Sequence, residues 1–293
     1  MKHEFMDNVD IINNYLDYCE TERGLSFNTL KAYRVQLYSL NLKKPLAEMK
    51  QSDIRELLNQ ISKDRSIHVR NYVLTCLKNL FAYMRDILFI IDMNPVLGIC
   101  STKTEQKERK SLSLNQIKIM FESIEKSNMR DRTLFRFMVQ TGLRVSEITN
   151  LKTEDVDLTE DFIHVIGKGN KERFVPIVKS LKQYLIDYVK WRLDNHAETD
   201  YFFVDIRNYK KGISRTEINI LLNKLADETG IPKDCISPHV LRHTFATLSL
   251  CKGVDLYVLS NVMGHSSIKT TQIYAKSNKY RNKQLMENID IFS

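Results

Sequence analysis

Residues 236–248 read ISPHVLRHTFATL, and the organisation of the second half of the chain follows from them. Ser237 followed by Pro238 marks a helix start: the hydroxyl caps an open backbone N–H, and proline suits the first helical position. On the helix beyond, Leu241, Phe245 and Leu248 recur at i, i+4 and i+7 and form a core-facing stripe. His239 and Arg242 lie three apart and share another face. They stand beside the unpaired N–H groups and positive dipole end that favour a phosphate. Taken alone, such a segment is more often a capped surface helix with a solvated arginine. Its meaning depends on what other segments bring to it.

Three other segments bring matching chemistry. In TGLRVSEITNL (141–151), Gly142 interrupts one helix and Arg144 opens the next. Glu147, three residues on, can hold the guanidinium in one orientation, which suits bidentate contact with phosphate oxygens. Alone, this is an ordinary i, i+3 ion pair worth a few tenths of a kcal/mol. Lys168 projects from the turn of GKGNKER (167–173), where an ammonium is usually just solvated. If that turn folds over a site, the lysine can protonate a leaving oxygen.

The stretch VDLYVLSNVMG (254–264) reads as a helix with Leu256, Leu259 and Met263 inward and Gly264 as its cap. His265 follows in the turn, and Ser266 or Ser267 caps a short helix carrying Tyr274. A free phenol has a pKa of about 10, so about one in a thousand is ionised at neutral pH. Attack on phosphorus therefore needs nearby cations and a proton acceptor. Two arginines, a lysine and two histidines are such a set.

The composition is compatible with a nucleic-acid enzyme. The 293 residues carry a net charge of +8, with 43% hydrophobic and 27% charged residues. The excess is uneven: residues 1–100 hold 13 Lys/Arg against 12 Asp/Glu, and residues 101–293 hold 31 against 24. A basic second part points towards an anionic partner. The cysteines at 19, 76, 100, 235 and 251 are odd in number and never CxxC-spaced, which argues against a disulfide framework or a zinc site and suits a reducing cytoplasm. The longest apolar run, ILFII (87–91), is far short of a membrane span and reads as a helix or core fragment. The N-terminus lacks the form of a signal peptide.

The first hundred residues read as helices. DNVDIINNYLDYCE places Val9, Ile12, Leu16 and Cys19 on one stripe. In LSFNTLKAYRVQLYSL, Ser26 is the expected cap, Leu30, Tyr33, Leu37 and Leu40 share a face, and Lys31 and Arg34 lie off it. SDIRELLNQIS is expected to open at a capping box on Ser52, and SIHVRNYVLTCLKNLFAYM is a further long helix. Residues 101–110, STKTEQKERK, contain no aliphatic or aromatic residue and read as an exposed linker. The expected domains are therefore 1–100, with four or five helices, and 111–293. In the second, Ile163, Val165, Phe174 and Val175 flank a polar Gly-containing turn and predict a β-hairpin. Helices are expected from SLKQYLIDYVKWRL to the end.

Arg144 in TGLRVSEI, Lys168 in GKGNKER, His239 and Arg242 in HVLRHTFAT, His265 in MGHSS and Tyr274 in TTQIYA together resemble the signature of the tyrosine recombinase (phage integrase) family, in the family's order. The resemblance covers about residues 110–285 and extends less sharply to ERGLSFNTLKAYRVQL. It implies a mainly α fold: a helical, SAM-like core-binding domain and a catalytic domain with a small hairpin or sheet. It implies that Tyr274 attacks a DNA phosphodiester to form a 3′-phosphotyrosine. Arg144, Arg242 and His265 would then hold the phosphate, Lys168 would act as general acid and His239 as the proton-transfer partner of the tyrosine. Glu147 would support them.

By the same resemblance the two domains clamp double-stranded recombination-site DNA, with Lys31, Arg34 and Arg70 as phosphate contacts of the first domain. Four protomers assemble on two sites, and a C-terminal helix with Leu285, Ile289 and Phe292 docks on a neighbour. No cofactor and no metal are implied, while a partner recombinase or accessory factor is left open. The short N-terminal extension favours a simple two-domain Xer- or Cre-like enzyme, or a small mobile-element integrase or invertase, with integration, excision, inversion and dimer resolution all left open as outcomes. The rivals are a type IB topoisomerase, a telomere resolvase, a catalytically silent DNA-binding relative and a metal-dependent nuclease.

Overall fold

The computed structural model describes residues 6–104, 110–167 and 171–264. The chain divides into two compact units, Met1–Lys107 and Glu108–Ser293, and is mainly helical.

The first unit is built from α1 (Asn8–Thr21), α2 (Phe27–Tyr38), α3 (Gln51–Asp64) and α4 (Ile67–Asp86). Ser26 and Ser66 cap α2 and α4 through their hydroxyls, as serine at these positions does. The core joins Ile12, Tyr15, Leu16 and Cys19 of α1 to Tyr33 and Leu37 of α2, Ile54 and Leu58 of α3 and Leu77, Leu80 and Phe81 of α4. Tyr15 packs against Tyr33 and Tyr83, and its burial in that ring cluster pushes its phenol far above the ordinary range.

Two details differ from the sequence reading. Val9 is exposed, while Ile12, Leu16 and Cys19 are buried as expected and Ile11 and Tyr15 join them. α3 opens at Gln51 without using Ser52: the Asp53 carboxylate accepts the Lys50 N–H at 2.8 Å, an acidic side chain doing the capping. Of the two readings of ILFII, the core fragment holds and the helix does not. Ile87 ends α4, and Phe89 turns outward at φ +53° while Leu88, Ile90 and Ile91 lean on the core.

The second unit contains α5 (Leu114–Ile124), α6 (Met129–Thr141), α7 (Val145–Asn150), α8 (Lys179–Asp194), α9 (Arg215–Thr229), α10 (Pro238–Cys251) and α11 (Leu256–Met263). The hairpin forms as an antiparallel pair, β2 (Phe162–Ile166) with β3 (Glu172–Pro176), in which Ile163 faces Val175 and Val165 faces Arg173. A short β1 (Val156–Asp157) extends it to three strands. Helices do not simply continue after α8: β4 (Val204–Asp205) and β5 (Asn208–Gly212) form a second, two-stranded sheet before α9. Their signal is weak because β4 has two residues and β5, NYKKG, lacks apolar alternation.

The core of this unit runs through Ile117, Met120, Phe135, Phe137, Leu181, Tyr188, Phe202, Phe203, Leu221, Leu225 and Leu241. A buried ionic knot fixes α9 within it. Arg130 donates to Asp131, to the Val204 carbonyl and to Glu217. Glu217 in turn caps the Ser214 N–H at 2.9 Å at the start of α9. Among the described residues no helix is long and apolar enough to cross a membrane.

Candidate functional site

The start of α10 is as its sequence dictates. Ser237 Oγ accepts the Val240 N–H at 3.2 Å and Pro238 occupies the first turn. Leu241 is fully buried, and Phe245 and Leu248 pack against the apolar clusters. Thr244, on the same helix, accepts the Leu112 N–H at 2.9 Å and so ties α10 to the start of the unit.

Arg242 is no solvated surface arginine: only 5% of it is exposed. Its Nη1 donates to the Gly142 carbonyl at 2.6 Å and its Nη2 to the Met263 carbonyl at 2.7 Å. The guanidinium thus joins the turn after α6 to the end of α11. His239, one turn back, is exposed.

Gly142 lies at φ +62°, and a Cβ there would sit 2.2 Å from Phe245 Cδ1. Both the left-handed backbone and the ring demand glycine. Gly142→Ala should therefore destabilise the fold by about 3 kcal/mol, combining left-handed strain with overpacking. Denaturant unfolding checks this, and an unchanged midpoint would contradict it.

That turn delivers Arg144 to the N-cap of α7. Glu147 is 8% exposed and fully engaged. Its Oε1 accepts from Arg144 Nη1 at 2.8 Å and from Arg173 Nη1 at 3.0 Å. Its Oε2 accepts from the Arg144 backbone N–H and from Arg173 Nη2, both at 2.8 Å. Burial pushes the carboxyl pKa up, but the Arg173 pair and the other donors outweigh it and hold it below the usual range. The stabilisation from this ionised carboxylate is present above the unfolded pKa, about 4.3. It is lost as pH falls through the lower folded value.

Arg144, His239 and Arg242, predicted from separate segments, line one open cleft of about 380 Å³. The first residues of three helices meet there: Val145 and Ser146 of α7, Arg215 of α9, and Pro238 and His239 of α10. Positive dipole ends and guanidinium groups in one open cleft make a site for an anion such as a phosphodiester. Arg215 and Asn219 also line it, and both were missed in the sequence. Arg173 was missed too, because its partner Glu147 is 26 residues away and a strand arginine looks like a solvated edge.

Lys168, His265 and Tyr274 lie outside the described residues, as do Leu285, Ile289 and Phe292. The last described residue of this segment is Gly264, whose carbonyl accepts from Arg144 Nη2 at 3.0 Å. Of the first-unit candidates, Lys31 and Arg34 are exposed on α2. Arg70 donates to Asn71 Oδ1 and shares a separate pocket with Arg55 and Asn59.

Comparison with known proteins gives one result throughout. The model of the phage integrase family matches residues 110–281. Tyrosine recombinase XerD of Listeria monocytogenes is 33% identical, the match covering 94% of this chain and 97% of that protein. XerD of Haemophilus ducreyi is 31% identical over 94% and 95% of the two chains. Among solved structures, XerH site-specific recombinase bound to a palindromic difH substrate in a post-cleavage complex has the same fold, with a TM-score of 0.75. It is 22% identical, covering 96% of this chain and 84% of that one.

Proposed function

The chain belongs to the phage integrase family of tyrosine recombinases, and from that membership we infer that it is a site-specific DNA recombinase whose nucleophile is Tyr274. The observation that carries the reading is the convergence of Arg144, His239 and Arg242 on one cleft, at the helix starts that best hold a phosphate. In the reaction, the Tyr274 oxygen attacks the scissile phosphorus as His239 receives the phenolic proton. The bond from phosphorus to the 5′-oxygen breaks, and Lys168 protonates that oxygen. Arg144, Arg242 and His265 stabilise the charge on the non-bridging oxygens, where preorganised donors contribute most.

A 5′-hydroxyl from a second duplex then attacks the 3′-phosphotyrosine and restores the phenol. One phosphodiester is exchanged for another, so no external energy source is required. Residues 111–293 carry this chemistry. Residues 1–100 grip the duplex, with Lys31, Arg34 and Arg70 as its phosphate contacts. Four protomers act on two sites, the C-terminal helix with Leu285, Ile289 and Phe292 bridging neighbours. The enzyme works in the cytoplasm, where the DNA is.

A plasmid with two copies of the recombination site tests the outcome. Recombinant circles are expected, and they should form equally in EDTA. Relaxed circles without recombinants would favour a topoisomerase or resolvase. Loss of all cleavage in EDTA would favour a metal-dependent nuclease.

A further inference from the structure

Three arginines from three segments hold three consecutive carbonyls where α11 ends. Arg173 Nε donates to Val262 O at 2.8 Å, Arg242 Nη2 to Met263 O at 2.7 Å and Arg144 Nη2 to Gly264 O at 3.0 Å. Cations suit these carbonyls, which form the negative end of the helix dipole. Two of the arginines belong to the proposed phosphate grip. Arg173 does not: it lies outside the cleft lining, and its side chain is 9% exposed. We propose that Arg173 is a positioning residue for strand cleavage, fixing the Arg144 guanidinium and the point from which the chain leaves α11 towards His265 and Tyr274. This rests on the roles given above to Arg144 and Tyr274.

A carboxylate pairs best with a guanidinium side-on, through two parallel bonds. Arg173 takes that face of Glu147, through Nη1 on Oε1 and Nη2 on Oε2. The Arg144 side chain is left with a single Nη1 bond to Glu147 and a second contact through Nη2 to Gly264 O. Without Arg173, Glu147 would be free to take the Arg144 guanidinium side-on and draw it off the phosphate.

Charge adds to this. Arg144, Glu147 and Arg173 together carry +1, whereas Arg144 and Glu147 alone are neutral, which weakens the pull on a phosphodiester. Space is equally tight, since a Cβ on Gly264, at φ +63°, would lie 2.9 Å from Arg173 Nη1. The arginine is packed directly against Gly264, the residue that caps α11.

The test compares Arg173→Lys and Arg173→Met with the unaltered protein. It reads thermal midpoint, duplex affinity and the rate of covalent adduct formation at saturating nicked suicide DNA, well below every midpoint. Lysine keeps a charge beside Glu147 but cannot span Glu147 and Val262 O together. Arg173→Lys should bind duplex within about threefold, because backbone contacts are spread over many phosphates. Its cleavage rate should fall about tenfold, and that of Arg173→Met about 100-fold, the scale of a misplaced preorganised donor.

Wild-type cleavage by Arg173→Lys would overturn the proposal. So would rate losses that merely track the folded fraction or duplex binding, because Arg173 would then serve only the fold or the grip. Tyr274→Phe is assayed in parallel, and an adduct there would overturn the underlying reading instead.

Discussion

Arg242→Ala is expected to slow covalent adduct formation by about 10³-fold or more, the range seen when a transition-state arginine or oxyanion donor is removed. Two separate losses combine. The substitution takes away a cation at the cleft wall, where the proposed reaction builds charge on the phosphate. It also strips the Gly142 and Met263 carbonyls of their guanidinium partner, and each buried polar group left unpaired costs about 1–3 kcal/mol. The second loss loosens the turn that delivers Arg144 and the helix end that precedes His265. Arg242→Lys should recover little, since one ammonium cannot bridge both carbonyls and still face the cleft. Duplex affinity should change by less than about tenfold, because most phosphate contacts lie elsewhere. A wild-type cleavage rate in Arg242→Ala, measured on nicked suicide DNA, would remove Arg242 from the site.

The sequence was most informative where structure is made locally. Ser237–Pro238 announced α10, Gly142 announced the left-handed turn after α6, and Arg144 with Glu147 announced an oriented guanidinium within four residues. The β2–β3 hairpin was likewise legible, because its apolar residues flank a short polar turn.

What could not be read is non-local. Arg173 looks like a polar strand residue until β3 brings it to Glu147 and the end of α11. Arg215 and Asn219 line the cleft from α9, whose start is held by the Arg130–Glu217 pair from a distant helix. Arg242 read alone as a surface charge, and its burial depends on two carbonyls 100 and 21 residues away. The α3 cap was misplaced for a smaller reason: Asp53 competes with Ser52 for the helix start and reaches the Lys50 N–H. The resemblance joined residues that spacing alone could not: Arg144, His239 and Arg242 line one cleft, while Lys168, His265 and Tyr274 lie outside the described residues.

The largest expected effect belongs to Tyr274→Phe. Phenylalanine keeps the ring and whatever packing it provides but removes the only oxygen the proposed reaction uses as its nucleophile. Fold and duplex binding should therefore persist while adduct formation disappears. At neutral pH about one phenol in a thousand is ionised in water, so the tyrosine works only beside cations that favour its anion and the charged phosphate together. In the amino-acid order, Tyr274 follows ten residues after Gly264, whose carbonyl Arg144 holds.

The most direct measurement traps the protein on a nicked suicide duplex, digests the covalent complex and identifies the peptide that carries the nucleotide. The account predicts a 3′-phosphate linked to the peptide containing Tyr274, and no adduct in Tyr274→Phe. A nucleotide on any other residue, or an adduct that survives in Tyr274→Phe, would contradict it.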